Sequence, residues 1–123
     1  MIPTADELIA GYPFVARRHR RVAHFDRAAV QSVVELASRL ASDREADEPA
    51  ALFFALASVR RAFPFAWRLM ARVTARTHAT NAGLVLGARD EDLDGLCNDV
   101  LFRRAGYAEV RAWFAKWIAV RRR

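Results

Sequence analysis

Apolar and polar residues alternate with a helical period over most of this 123-residue chain. In the clearest segment, which follows Asp26, the apolar residues recur every three or four positions, at Val30, Val33, Val34, Ala37, Leu40 and Ala41. The positions between them are polar and include Arg27, Gln31, Glu35 and Arg39. This pattern predicts an amphipathic helix, with Asp26 as its N-cap and the polar stretch 42–48 after its end.

A shorter helix is predicted ahead of that segment. Thr4 and Glu7 have the Thr-x-x-Glu spacing of a capping box. We expect the helix to end near Ala10, because Gly11-Tyr12-Pro13 is a stop signal. Residues 13–25 are then expected to be irregular.

Two core helices are predicted in the middle of the chain. Asp47 and Pro49 form a start signal, and the residues from Ala50 to Ala57 are apolar on every side, which is typical of a central helix. Pro64 is expected to open the next helix, which runs to about Asn81 and is capped by Gly83. The apolar side of that helix contains Phe65, Leu69, Val73 and Ala79.

The last third of the chain predicts two more helices. After a connection that has room for a short extended piece, Asp90 caps a fifth helix with apolar positions at Leu93, Leu96, Cys97, Val100 and Leu101. A final helix starts near Tyr107 and has apolar positions at Val110, Trp113, Phe114, Trp117 and Ile118. About six helices with short loops predict one all-α domain over residues 1–123, a compact bundle.

Composition narrows the class of protein. Apolar residues make up 54% of the chain, which excludes a disordered protein. Cys97 is the one cysteine, and the N-terminal residues do not resemble a signal peptide, so we expect a cytoplasmic protein. The longest strongly apolar stretch, 49–59, is too short to cross a bilayer, and no membrane partner is expected.

The net charge of +6 permits an acidic partner, either a phosphate backbone or an acidic protein. The densest basic run is Arg17-Arg18-His19-Arg20-Arg21, and Arg121–Arg123 form a second one. The first run is the best local signal for binding, but a run of this kind is more often a solvated loop in an arginine-rich protein.

Other chemical motifs are incomplete. The run Asp90–Gly95 matches the first half of a calcium loop, but Leu101 stands where the loop needs glutamate, so the run is interpreted as an acidic first turn. His19, His24 and His78 lack metal-ligand spacing. Cys97 is expected to be buried and inert. No metal and no cofactor are expected.

A family resemblance appears in the central segment. Ala50-Ala-Leu-Phe-Phe-Ala-Leu-Ala57 and Asn81-Ala-Gly83-Leu-Val-Leu86 resemble the two ends of the core of the Fic/Doc (death-on-curing) family. In that family an apolar A-A-x-L-x-x-x-L helix leads into H-P-F-x-D-G-N-K-R and a second core helix. The segment 90–100 and a closing helix with Trp113 also suit small Doc-like toxins. The resemblance implies a Fic/Doc-like bundle.

The family's catalytic motif is missing from this chain. A match without gaps places its histidine, aspartate, asparagine, lysine and arginine at Arg60, Pro64, Ala66, Trp67 and Arg68. A slipped match places Phe63-Pro64-Phe65 on H-P-F, again without the histidine. In the family the histidine is the general base, and the later residues hold nucleotide phosphates and metal. The resemblance therefore implies a degenerate member without transferase chemistry, and no catalytic residue is assigned.

Three functional hypotheses remain open. The first is a toxin–antitoxin-like component that binds another protein or a second copy of itself, with the arginine run and an aromatic helix in contact, namely Trp113, Phe114 and Trp117. The second is a nucleic-acid-binding module that uses Arg17, Arg18, Arg20, Arg21 and Arg121–Arg123. The third is an enzyme whose phosphate site is rebuilt around Arg60, Arg68 and His78.

Overall fold

The computed structural model describes residues 1–20, 24–41 and 44–120, and within them the chain forms six α-helices and one two-stranded sheet. The helices are α1 (Ala5–Arg18), α2 (Arg27–Ala41), α3 (Glu48–Ser58), α4 (Trp67–Asn81), α5 (Asp90–Leu101) and α6 (Tyr107–Trp117). The strands are β1 (Leu84–Leu86) and β2 (Ile118–Val120), and short 3-10 helices cover Glu45–Asp47 and Arg60–Ala62. The prediction of an all-α bundle with about six helices is confirmed. None of these described helices combines the length and apolar character that a bilayer crossing demands.

Helix α3 is the centre of the core, as the sequence predicts. It contacts α2, α4, α5 and α6. Its buried residues are Pro49, Ala50, Ala51, Leu52, Phe53, Ala55, Leu56 and Ala57. A helix that is apolar on every side requires neighbours on every side, and this arrangement supplies them.

The start of α1 follows the prediction, but its end does not. Glu7 N donates to Thr4 Oγ1 at 3.1 Å, and Thr4 N donates to Glu7 Oε1 at 3.2 Å, which completes the capping box. The predicted stop near Ala10 is wrong, because α1 continues through Pro13 to Arg18.

Burial on one side of α1 explains why the helix continues. Tyr12 is fully buried, and its ring centroid lies 4.5 Å from that of Phe63. Ala16, one turn later, is also buried. A proline inside a helix costs about 3 kcal/mol, and the burial of Leu8, Tyr12 and Ala16 along one face offsets that cost.

The predicted N-caps have different outcomes. Asp26 caps α2, since Ala29 N donates to its Oδ1 at 3.2 Å. Asp47 precedes α3 but makes no cap hydrogen bond, and its Oδ2 instead pairs with Arg111 Nε at 3.1 Å. At α5 the cap lies one residue before the predicted Asp90, where Arg89 N donates to an Asp92 carboxylate oxygen at 3.2 Å.

Helix α4 begins at Trp67, three residues after the predicted start at Pro64. Phe65 therefore lies outside the helix and is 60% exposed, so its assignment to the core is wrong. Leu69 and Ala79 are buried as predicted. Gly83 follows the helix with a φ of +77°, the left-handed conformation that favours glycine at this position.

The sheet connects the middle of the chain to the segment after α6. Strands β1 and β2 are antiparallel, with Leu84 opposite Val120 and Leu86 opposite Ile118. Gly87 N also donates to Trp117 O at 2.8 Å. The predicted extended piece is confirmed, but Ile118 begins a strand rather than ending the last helix, because this pairing is non-local.

The directions of the helices define two ends of the bundle. His78 near the end of α4 contacts Glu48 at the start of α3, and Met1 N donates to the same glutamate. At the other end, Arg68 in the first turn of α4 contacts Asn98 in the last turn of α5. Helices α3 and α5 therefore end where α4 begins, whereas an ion pair between Arg27 and Asp6 joins the first turns of α2 and α1.

Candidate functional site

Arginines without a carboxylate partner gather at one end of the bundle. Those in the described residues, with one exception, lie at the termini of α1, α3, α4 and α5, and we call this group the arginine end. It consists of Arg17, Arg18, Arg20, Arg60, Arg61, Arg68 and Arg103, all of them exposed. The exception is Arg39 on α2. The other described arginines form ion pairs with carboxylates, namely Arg27, Arg44, Arg72, Arg76, Arg89, Arg104 and Arg111.

Contacts between helix termini hold the arginine end together. Asp26 N, before α2, donates to Ala62 O, after α3, at 3.0 Å. The ring of His24 lies 5.9 Å from the ring of Phe65. His19, after α1, lines a cleft of about 280 Å³ that opens at the start of α4.

Trp67 is the centre of a cation–π cluster in this region. The Arg68 guanidinium lies 4.4 Å from the Trp67 ring centroid, and the Arg60 guanidinium lies 5.8 Å from it. Arg68 Nε and Nη2 also donate to Asn98 Oδ1, at 3.2 and 2.9 Å. Because asparagine is neutral, the charge of Arg68 is oriented by these contacts but not neutralised.

The start of α4 adds further positive potential. Ala66 is its N-cap residue and offers no side-chain oxygen to the first amides of the helix. Unpaired amides at a helix start carry partial positive charge and favour anions. The residues matched to the Fic/Doc motif, 60–68, thus supply arginines and aromatic rings at this place.

A second cleft, of about 390 Å³, lies between the ends of α3 and α5. Its apolar wall includes Phe54, Ala57, Val100 and Leu101. Arg60 and Arg103 line the same cleft, and both are exposed. The arginine end therefore contains two clefts. Trp67 lines the first, Arg60 lines the second, and the contact between these two side chains connects them.

Exposed aromatic rings accompany the arginines. Phe65 is 60% exposed and Phe102 is 64% exposed. The Arg104 guanidinium lies 5.3 Å from the Phe102 ring centroid, although Arg104 itself is paired with Asp99. Neither phenylalanine is recognisable as a binding residue from the sequence, because their exposure depends on where the helices end.

The structure brings some of the predicted site residues together and separates others. Arg60 and Arg68 both lie beside the Trp67 ring. His78 is about 15 Å further along α4, at about 1.5 Å per residue, where its Nε2 donates to Glu48 Oε1 at 2.7 Å. The three residues of the rebuilt phosphate site therefore do not form one site. Arg21 and Arg121–Arg123 lie outside the described residues.

The predicted aromatic interface is only partly available to a partner. Phe114 is 1% exposed and packs 5.3 Å from the Phe53 ring, so its assignment to an interface is wrong and it is a core residue. Trp113 is half-buried, and Trp117 is 41% exposed, with 5.9 Å between their ring centroids. Both line a groove between α5 and α6 that also contains carboxylates of Asp92 and Asp99.

Cys97 lies on the buried side of α5, as predicted. Burial, and to a smaller extent the charge of Asp94, raise the pKa of its thiol to about 12. A protonated, inaccessible thiol does not act as a nucleophile. In the part of the chain that the structure describes, no group of three or more His, Cys, Asp or Glu side chains is placed to hold a metal ion.

Comparisons with known proteins find no matching family model, no similar curated protein and no similar solved structure. The Fic/Doc resemblance therefore stays a prediction based on helix order and apolar pattern.

Proposed function

We propose that this protein binds single-stranded nucleic acid through its arginine end. The observation that supports this most strongly is that arginines with no carboxylate partner among the described residues lie beside exposed phenylalanine rings. Phosphates of a bound strand neutralise the arginines and release counterions. Bases that are not paired can stack on the faces of Phe65 and Phe102, whose exposed fractions are 60% and 64%.

The shape of the arginine end favours a single strand over a duplex. It is built from helix termini and connections, whereas a duplex reader usually places the flank of a helix in the major groove. Ring faces are useful only to bases that have left a duplex. The cation–π cluster around Trp67 orients Arg60 and Arg68 before any ligand arrives, which reduces the entropy lost on binding.

The test is fluorescence anisotropy with short labelled strands of oligo-dU and oligo-U, titrated with salt. The double variant Arg60→Ala/Arg61→Ala should bind more weakly, and the logarithmic salt slope should fall by about 0.7 for each phosphate contact that is lost. Arg39→Ala is the control, because Arg39 is also exposed and has no ion pair among the described residues but lies near the far end of α2.

Two results would contradict the proposal. One is the absence of binding by the unmodified protein at low salt. The other is a loss of affinity per removed charge that is the same in Arg39→Ala and in the double variant, which would mean that net charge alone attracts the strand.

A second candidate function is protein binding by a Fic/Doc-like toxin component, and the indole pair favours it. Trp117 is 41% exposed beside Trp113, and tryptophans often anchor protein interfaces. Light scattering of the purified protein should then show a dimer or a bound partner protein that Trp117→Ala loses. Phe14→Ala is the control, because Phe14 is 71% exposed on α1 and should not matter. A monomer that co-purifies with nothing would contradict this candidate.

A further inference from the structure

Two arginines of the arginine end have an uncommon backbone conformation. Arg20 has a φ of +56° and Arg103 a φ of +58°, and among the described residues they are the only non-glycine residues at positive φ. Each follows a helix, at a place where glycine is the usual residue. Gly83 occupies the corresponding place after α4.

The left-handed conformation is unfavourable for every L-residue that carries a Cβ. Glycine would avoid that cost at either position. Both arginines lie at the same end of the bundle, and neither has an ion-pair partner in the described residues. Such an outlier, held without a structural gain from its side chain, points to a functional role for the side chain.

The turn that holds Arg103 is well fixed. Arg104 N and Ala105 N both donate to Asp99 O, at 2.7 and 3.1 Å, and Arg103 N donates to Val100 O at 3.1 Å. These bonds close the end of α5 and fix the place from which the Arg103 side chain extends. Arg103 and Arg60 then line the same cleft, the first from the turn after α5 and the second from the 3-10 helix after α3.

The cleft has the properties of a small heteroaromatic site. Its volume of about 390 Å³ lies within the range of small-molecule pockets, about 300–1,000 Å³. Phe54, Val100 and Leu101 supply apolar surface for the flat face of a base. Ser58, exposed at the cleft, has a hydroxyl for the polar edge of a base.

We propose that the cleft between the ends of α3 and α5 receives one unstacked base of the bound strand, and that Arg60 and Arg103 contact the flanking phosphates. This inference rests on the proposed function and assigns a specific subsite to it. Planar guanidinium groups suit the phosphates, since they can donate two parallel hydrogen bonds to one phosphate group.

Arg103→Gly separates this role from a structural one. Glycine removes the backbone strain, so the melting temperature should stay the same or rise. The affinity for oligo-U or oligo-dU should nevertheless fall about tenfold, as for the loss of a charged contact. Arg103→Lys keeps the charge but lacks the planar guanidinium group, so its affinity should lie between those of the unmodified protein and Arg103→Gly.

A strand with a single 2-aminopurine tests the cleft itself, and it is made both as RNA and as DNA. Its fluorescence should rise on binding, as the base leaves its stacked neighbours. Ser58→Phe fills the mouth of the cleft from an exposed position and should remove this change. The strand chemistry that gives the larger change identifies RNA or DNA as the ligand of the cleft.

The outcomes distinguish the subsite from the function on which it rests. The unmodified protein could bind the strands while Arg103→Gly and Ser58→Phe bind them equally well with the same fluorescence change. In that case the proposal that the cleft receives a base is wrong, and binding by the arginine end stands. If the unmodified protein binds neither strand, both proposals fail.

Discussion

His78 Nε2 donates to Glu48 Oε1 at 2.7 Å, and this bond joins the end of α4 to the start of α3. The two side chains are only 15% and 13% exposed. The same oxygen accepts a hydrogen bond from Met1 N at 2.8 Å. This polar contact therefore closes the end of the bundle opposite the arginine end.

The Glu48 contact predicts a specific dependence of stability on pH. Burial raises the pKa of Glu48, but hydrogen bonds from the Met1 ammonium and from His78 outweigh it, and the net pKa lies below the ordinary 4.5. The stabilisation is therefore complete above the unfolded-state pKa and is lost as the pH falls through the folded-state pKa. Glu48→Gln should lower the free energy of unfolding by about 1–2 kcal/mol at neutral pH, and this difference should shrink in acid.

Urea denaturation at several pH values measures that difference. Glu35→Gln is the control, because Glu35 is exposed and accepts only a 3.4 Å hydrogen bond from Gln31. Its effect should stay within about 0.5 kcal/mol at every pH. A Glu48→Gln penalty that is independent of pH would argue against an ionised Glu48 as its source.

Replacement of two glycines by alanine should change the stability of the protein in opposite directions. Gly83 has a φ of +77°, so Gly83→Ala should destabilise the protein by about 1 kcal/mol. Gly11 lies inside α1, so Gly11→Ala should stabilise it by about 0.5–1 kcal/mol. An added Cβ meets nothing within 4 Å at either site, so backbone conformation alone sets the sign. Thermal denaturation measures both variants, and equal signs would contradict the assigned helix boundaries.

Cys97 should be inert while the protein is folded. Its thiol has a pKa of about 12 and no exposed surface. A thiol reagent at mildly alkaline pH should therefore leave the folded protein unmodified, and should label it fully in denaturant. Mass spectrometry counts the adducts, and fast labelling without denaturant would mean that α5 is not packed as described.

The aromatic contact between α3 and α6 should dominate stability. Phe53 is fully buried against Phe114, so Phe53→Ala should cost about 3–5 kcal/mol. Phe14 is 71% exposed, and Phe14→Ala should change stability by less than about 0.5 kcal/mol. Urea denaturation of the two variants compares the sites directly, and similar losses would place Phe53 outside the core.

Local pattern was sufficient to predict the helices whose apolar faces are regular. The burial of Val30, Val33 and Ala37 on α2, and of 50–57 on α3 apart from the half-buried Phe54, follows directly from spacing. The end of α1 could not be predicted in this way. The rule that proline stops a helix is local, and here it is overridden by the packing of Tyr12 on Phe63, a residue fifty-one positions away.

The sequence predicts some residues of the candidate site, but not Arg61, Arg103 or the two exposed phenylalanines, and it does not predict their assembly. Arg17, Arg18, Arg60 and Arg68 were selected from the sequence, yet their common location depends on the direction of each helix in the bundle. The role suggested for Arg103 depends on its φ of +58°, which sequence propensity does not predict for arginine. Tertiary structure, rather than motif, therefore defines the arginine end.

The separation of charges also predicts how the protein would approach the polyanion of the proposed function. Unpaired arginines lie where α1, α3 and α5 end, while Glu45 and Glu91 lie near the starts of α3 and α5. The folded protein therefore has an electric dipole moment directed along the bundle. In the field of a polyanion this dipole turns the molecule during diffusion, so that the arginine end arrives first. Association should consequently be fast at low ionic strength, because fewer encounters are wasted in the wrong orientation.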